Sequence, residues 1–138
     1  MSRSKSGLFL MELIIAIAFF AVSSAVCVQL FAMAHNLSSR SVGIQMAVMN
    51  AQSAAESFKS TGGDIDSMTS ILQSSVVDDT LVLGFDENWI RSSHDIRFVM
   101  VVEIDASTAL ATAVITVTDN MLDEELYSLT VLRYLGVN

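Results

Sequence analysis

The sequence predicts an α+β fold in which one long amino-terminal helix packs on a small antiparallel sheet of three to four strands. Two observations support this prediction. An apolar run with a single charged residue extends over residues 8–34, and helical periodicity continues after it to about residue 60. From Thr80 onward, side chains alternate between two faces in the manner of strands with one buried side. The 138 residues leave room for one modest domain after the apolar run.

The apolar run is long enough to cross a bilayer, because a helix needs about 20 apolar residues to span the hydrocarbon core. We predict a transmembrane helix over residues 8–35, followed by an extracytoplasmic domain over residues 36–138. Arg3 and Lys5 precede the run, and positive charge there favours a cytoplasmic amino terminus. A cleaved secretory signal is the alternative, but its apolar core would span only about 7–15 residues.

The helix is expected to continue past the membrane segment to residue 60. Residues 36–43 have low helix propensity, so any bend or break is expected there. The second half carries one apolar stripe that should cover the sheet, formed by Ile44, Val48, Ala51, Ala55 and Phe58. Thr61, Gly62 and Gly63 should end the helix, because glycine adopts the left-handed turn that closes helices.

The rest of the chain predicts a short second helix and an antiparallel meander. Asp64 or Asp66 could cap this helix, whose apolar positions recur at helical spacing within residues 64–76. The predicted strands cover residues 80–85, 98–105, 112–118 and 127–131, and short loops between the last three favour antiparallel pairing. Trp89 lies in a polar loop over residues 86–95, either packed over the sheet edge or as an interface anchor.

The composition offers little support for catalysis or cofactor binding. His35 and His94 stand apart from other ligand-type residues, and no nucleophile, phosphate-loop or zinc motif is present. We therefore predict no enzyme activity, no cofactor and no metal site. An acidic group, Asp119, Asp123, Glu124 and Glu125, could bind calcium or simply be solvated. Cys27, the only cysteine, is interpreted as a packing residue in the apolar run.

The residues at the start of the apolar run form a specific pattern. A short basic leader, MSRSKSG, ends in Gly7, and Glu12 follows five positions later inside an otherwise apolar helix. This pattern resembles the processing site of type IV pilins and the related pseudopilins. The resemblance implies cleavage by a prepilin peptidase after Gly7, methylation of the new amino terminus on Leu8, and an assembly role for Glu12. Residues 1–7 would then be the leader.

The resemblance also implies a lollipop-shaped structural subunit that moves from the cytoplasmic membrane into an extracytoplasmic filament. Its partners would be the peptidase, other pilin subunits and an inner-membrane assembly platform. In this family the acid that corresponds to Glu12 faces the amino-terminal ammonium of a neighbouring protomer. Leu8 in place of the commoner phenylalanine or methionine, the lack of proline and the lack of a cysteine pair favour a minor pilin or a pseudopilin over a major pilin.

The filament could belong to a type IV pilus or to a pseudopilus of type II secretion or DNA uptake. Direct nucleic-acid binding is not expected, because the formal charge is −8, and loss of Arg3 and Lys5 with the leader would leave 5 basic against 15 acidic side chains, or −10. The alternative function is a single-span, membrane-anchored extracytoplasmic binding protein that does not polymerise. Such a protein would need neither Gly7 nor Glu12.

Overall fold

A computed structural model describes residues 3–107 and 109–136, without the side chains of Arg3 and Ser4, so Met1 and Ser2 of the predicted leader lie outside the described residues. The described chain is α+β, as predicted. Its elements, in order, are α1 (Arg3–Thr61), α2 (Ile65–Leu72), β1 (Ser75–Val77), β2 (Thr80–Phe85), β3 (Phe98–Asp105), β4 (Leu110–Asp119) and β5 (Glu124–Tyr134). The chain divides into two compact units, of which the first ends at Ser41 and the second begins at Val42.

Helix α1 includes the residues of the predicted leader from Arg3 onward and ends one residue beyond the predicted end. Residues 36–43 are helical, and the division between the two units falls within them. The helix is long and apolar enough to cross a membrane, and its most apolar stretch is not buried by the rest of the described chain. This is weak support for a single-pass membrane protein, and it agrees with the predicted span.

The end of α1 is closed by Gly62 and Gly63, as predicted. Their φ angles are +73° and +85°, and both amide N–H groups donate to the carbonyl oxygen of Phe58, at 3.0 and 3.2 Å. An added Cβ at Gly63 would lie 3.0 Å from Cε2 of Phe58. Glycine is therefore required at Gly63 by its backbone angle and by this close approach.

Helix α2 is shorter than predicted, and a strand follows it. Asp64 caps the helix by accepting a hydrogen bond from the Ser67 amide at 3.0 Å. The helix closes at Gln73, which adopts the left-handed conformation at φ 50°. Residues 75–77 then pair with β2. The sequence prediction assigned residues 75 and 76 to the helix, which was wrong. The helix ends at Gln73 rather than at a glycine, so no glycine in the sequence marks its end.

The sheet has five strands in the order β1-β2-β3-β4-β5, and all neighbours are antiparallel. The predicted meander is therefore confirmed, while the predicted number of three to four strands was too small by β1. The register places core residues opposite one another, for example Leu83 beside Met100 and Met100 beside Val117. A β-bulge between Val117 and Thr118 interrupts the pairing of β4 with β5.

One face of the sheet forms the core of the second unit together with the last turns of α1. The helix contributes Ala47, Ala51, Ala54, Ala55 and Phe58 to this core. Ala51, Ala55 and Phe58 belong to the predicted stripe. Its other two members lie outside the core: Ile44 is 37% exposed and Val48 is partly buried. Alanines let a helix backbone approach a sheet closely, so the packed face is centred on small side chains rather than on the largest apolar ones.

The loop between β2 and β3 is anchored by Trp89. Its ring stacks on Phe98 at a centroid distance of 4.0 Å and lies 5.7 Å from Phe85 at a tilted angle. Trp89 is partly buried against the core, which supports packing over the sheet rather than a role as an exposed anchor.

Candidate assembly site on the amino-terminal helix

The three residues of the predicted processing site, Gly7, Leu8 and Glu12, all lie on α1. Leu8, Met11, Glu12 and Ile15 line one shallow depression, since residues three, four and seven positions apart share a helix face. The structure therefore brings Glu12 beside the side chain of the residue that would become the amino terminus. Gly7 precedes them by one position, within the same helix.

Glu12 is exposed, and it forms no hydrogen bond or ion pair with any other residue in the described ranges 3–107 and 109–136. Its neighbours on the helix are apolar and exposed as well, such as Leu8 at 73% and Ile15 at 62%. Apolar surface on this scale needs a cover, either lipid or other apolar helices. A carboxylate among such side chains needs a partner or a route to water, because a charge near the centre of a bilayer costs about 3 kcal/mol on insertion scales.

Gly7 has no packing role within the described chain. A Cβ placed on it would meet nothing within 4 Å. Glycine inside a helix is destabilising by about 0.5–1 kcal/mol relative to alanine. The contacts of the described chain therefore do not explain the glycine at this position.

The acidic residues near the end of β4 do not come together as a metal site. Asp119 is buried, and its carboxylate accepts from the Arg97 guanidinium at 3.3 Å and from the Met121 amide at 2.9 Å. No group of three or more histidine, cysteine, aspartate or glutamate residues in the part of the chain that the structure describes could hold a metal ion. Asp119 acts instead as the support of the turn between β4 and β5.

Sequence reasoning missed the structural role of Asp119, although a signal was present. Ala113, Ile115 and Val117 occupy alternate core positions of β4, and Asp119 continues that series. A carboxylate at a core position requires a donor, because a buried charge without a partner is costly. Arg97, the residue before β3, supplies it. A donor beside Asp119 was therefore to be expected from the sequence.

The other singled-out residues show no constellation. His94 is exposed and its Nδ1 lies 3.1 Å from the Ser93 hydroxyl, while Cys27 is exposed on α1 as a free thiol. Comparison of the chain with protein-family models, with curated proteins and with solved structures finds no match. The functional argument therefore rests on the residues of α1.

Proposed function

We propose that the protein is a structural subunit, a minor pilin or pseudopilin, of a type IV pilus or of a pseudopilus for type II secretion or DNA uptake. The observation that carries this proposal is Glu12. It is the only charged residue between Leu8 and Ala34, and it is exposed on an apolar helix without a partner among the described residues. The resemblance of residues 1–12 to a prepilin processing site supports the same conclusion.

In the proposed mechanism, the charge of Glu12 determines the register in which neighbouring subunits pack. Cleavage after Gly7 creates an ammonium group on Leu8, and methylation leaves that group positively charged. In a bundle of apolar helices an unpaired charge costs several kcal/mol, whereas a pair with good geometry costs much less. The Glu12 carboxylate of one subunit would therefore favour the register in which it meets the new amino terminus of a neighbour.

The proposal is tested by the mass of the mature chain isolated from its native host. We expect a chain that begins at Leu8 and carries one methyl group. Retention of residues 1–7 in assembled material would contradict the proposal.

Gly7→Leu is the matched variant for this experiment, because a Cβ added at Gly7 meets no atom within 4 Å. We expect this variant to insert into the membrane and to keep residues 1–7. If it matured to the same mass as the wild type, the site would not be read by a peptidase, and a single-span membrane protein that does not polymerise would be the better interpretation.

A further inference from the structure

Helix α1 carries a single basic residue just beyond its apolar run. Arg40 is the only lysine or arginine between Lys5 and Lys59, and it follows the apolar residues 8–34 by six positions. The most apolar stretch of α1 is not buried by the rest of the described chain, so lipid covers it wherever the chain spans a bilayer. Arg40 therefore belongs to the part of α1 that leaves the lipid.

The position of Arg40 along α1 matches the thickness of a bilayer. Leu8 and Arg40 are 32 positions apart, which corresponds to about 48 Å along a helix. Side chains of a helix lean toward its amino terminus, so we expect the guanidinium of Arg40 to lie about one turn closer to Leu8 than its Cα does. The distance that remains, about 43 Å, is that of a bilayer with both headgroup layers, about 40–45 Å. An upright helix with Leu8 at one surface therefore brings the guanidinium to the headgroups of the opposite leaflet.

The surface around Arg40 combines apolar side chains with hydrogen-bond donors. Met33, Ala34, Asn36, Leu37 and Arg40 line one depression on α1, with a volume of about 400 Å³. Met33 is 69% exposed and Leu37 is 70% exposed, so they continue the apolar surface of the preceding run. Asn36 and Arg40, four positions apart on one helix face, add an amide and a guanidinium at its outer end. A phospholipid has the same order of parts, because its acyl chains lie below a charged phosphodiester.

The charge of the chain restricts this contact to Arg40. Fourteen of the fifteen acidic residues lie in residues 42–138, against four of the seven basic ones, so an anionic surface repels the second unit. Arg40 has a partner within the described chain, but a guanidinium carries five N–H donors and keeps others for a phosphodiester. Arginine also matches phosphate oxygens with two parallel donors.

From these features we propose that the depression around Arg40 binds an anionic phospholipid of the bilayer. The phosphodiester accepts from the Arg40 guanidinium and the Asn36 amide, and the acyl chains lie along Leu37 and Met33. This contact sets how far α1 is inserted, because deeper insertion would carry the charge of Arg40 into the hydrocarbon core. The inference requires that α1 spans a bilayer, and it does not depend on the proposed function.

The proposal is tested by native mass spectrometry of the full chain in detergent micelles to which phosphatidylglycerol or phosphatidylcholine is added. Both lipids contain a phosphodiester, but only phosphatidylglycerol has a net negative charge. We expect the wild type to bind phosphatidylglycerol more tightly than phosphatidylcholine. Equal binding of the two lipids would overturn the proposal, because the acyl chains alone would then account for it.

Variants of Arg40 test the residue itself. Arg40→Gln should weaken the binding of phosphatidylglycerol by about fivefold, the loss expected for one basic residue beside an anionic lipid surface. Arg40→Lys should bind more tightly than Arg40→Gln, because lysine keeps the charge although it lacks the planar fork. Wild-type affinity in Arg40→Gln, or no recovery in Arg40→Lys, would contradict the proposed contact.

Two controls separate a lipid site from a general attraction of anions. Lys59→Gln removes the next basic residue of α1, which lies in the second unit and outside the depression, and it should leave lipid binding unchanged. Soluble glycerol phosphate offers the phosphate without acyl chains, and an equal concentration should not displace phosphatidylglycerol. A loss in Lys59→Gln as large as in Arg40→Gln, or displacement by glycerol phosphate, would overturn the assignment of a lipid site.

Discussion

At the scale of single residues, the chain contains two carboxylates in apolar surroundings that differ in how they are satisfied. Asp119 has its donors within the second unit, from Arg97 and from the turn that follows. Glu12 has none among the residues that the structure describes. A buried or membrane-embedded carboxylate needs a partner, so Asp119 is expected to act on folding and Glu12 on association.

Glu12→Ala is expected to separate insertion from assembly. The variant should be at least as abundant in the membrane as the wild type, because removing a charge from the apolar segment lowers the free energy of insertion. If Glu12 meets a neighbour's ammonium, the variant should keep cleavage after Gly7 but enter filaments at least about tenfold less well, because a buried charge without a partner costs more than 1.4 kcal/mol.

Glu12→Gln refines this measurement, because it keeps the shape and hydrogen-bonding capacity of the side chain and removes only its charge. The three forms should be expressed together in one cell, so that they compete at equal dosage, and counted by mass spectrometry of isolated filaments. Equal incorporation of wild type, Ala and Gln forms would show that the charge has no part in assembly.

Asp119→Ala is expected to lower the free energy of unfolding of the second unit by about 2–3 kcal/mol, because it leaves Arg97 and two turn amides without their acceptor. The Arg97 side chain is 36% exposed, which keeps the expected loss below that of a fully buried pair. Urea unfolding followed by circular dichroism measures it. Asp123→Asn is the control, since Asp123 is exposed and asparagine tolerates its φ of 50°, and its effect should stay within about 0.5 kcal/mol. Equal effects of the two changes would contradict the support role of Asp119.

At the scale of elements, predictions from the sequence succeeded where a period extends over many residues. The alternation over residues 98–105 and 112–118 correctly predicted β3, β4 and their buried faces, because every second side chain of these strands faces the core. The three residues of β1 are too few to show a period. Ile44 was placed on the packed face of α1 because of its hydrophobicity, whereas the structure uses Ala47 there. Spacing alone could not show how closely the helix approaches the sheet.

Local sequence patterns were predictable for the candidate site too, whereas contacts between distant residues were not. Gly7, Leu8 and Glu12 were predictable because their pattern is local in the sequence. The stacking of Trp89 on Phe98 and the bond from Arg97 to Asp119 were not, because each depends on how the loop returns to the sheet.

The cap of α2 should make stability depend on pH. Hydrogen bonds from the Ser67 side chain and amide lower the pKa of Asp64 below its ordinary value of 3.8. A lowered folded-state pKa means that the ionised cap stabilises the fold above pH 3.8, and that this contribution is lost as the pH falls through the folded pKa. The melting temperature of the wild type should therefore exceed that of Asp64→Ala at pH 5 and approach it at low pH.

Asp64→Ser controls for the cap itself, because serine also accepts a hydrogen bond from the helix but does not titrate in this range. Its advantage over Asp64→Ala should be the same at all pH values. A wild-type advantage that is equally independent of pH would show that the charge of Asp64 contributes nothing.

At the scale of the whole molecule, the two units meet different requirements. All residues of the hydrophobic core cluster lie between Ala47 and Val131, within the second unit. The first unit has no buried residue among those whose burial is described, so it depends on lipid or on other chains for cover. Folding of the second unit and placement of the first in an apolar environment are therefore separable events.

Residues 42–138 are expected to fold alone as a soluble, cooperative unit. Cys27 lies outside this range, so the fragment has no cysteine, and its urea transition should be the same with and without a reducing agent. Sedimentation and circular dichroism would check it. Aggregation under all conditions would show that the core requires the preceding helix.

The seating of Trp89 on Phe98 also gives the protein its own optical reporter. Trp89 is the only tryptophan, so tryptophan fluorescence reports on one contact, that of the loop over residues 86–97 with β3. Release of that loop would shift the emission to longer wavelength even while the circular dichroism of the sheet stayed constant. A fluorescence transition that comes before the circular dichroism transition would reveal a state in which the loop over residues 86–97 has opened and the sheet is still intact.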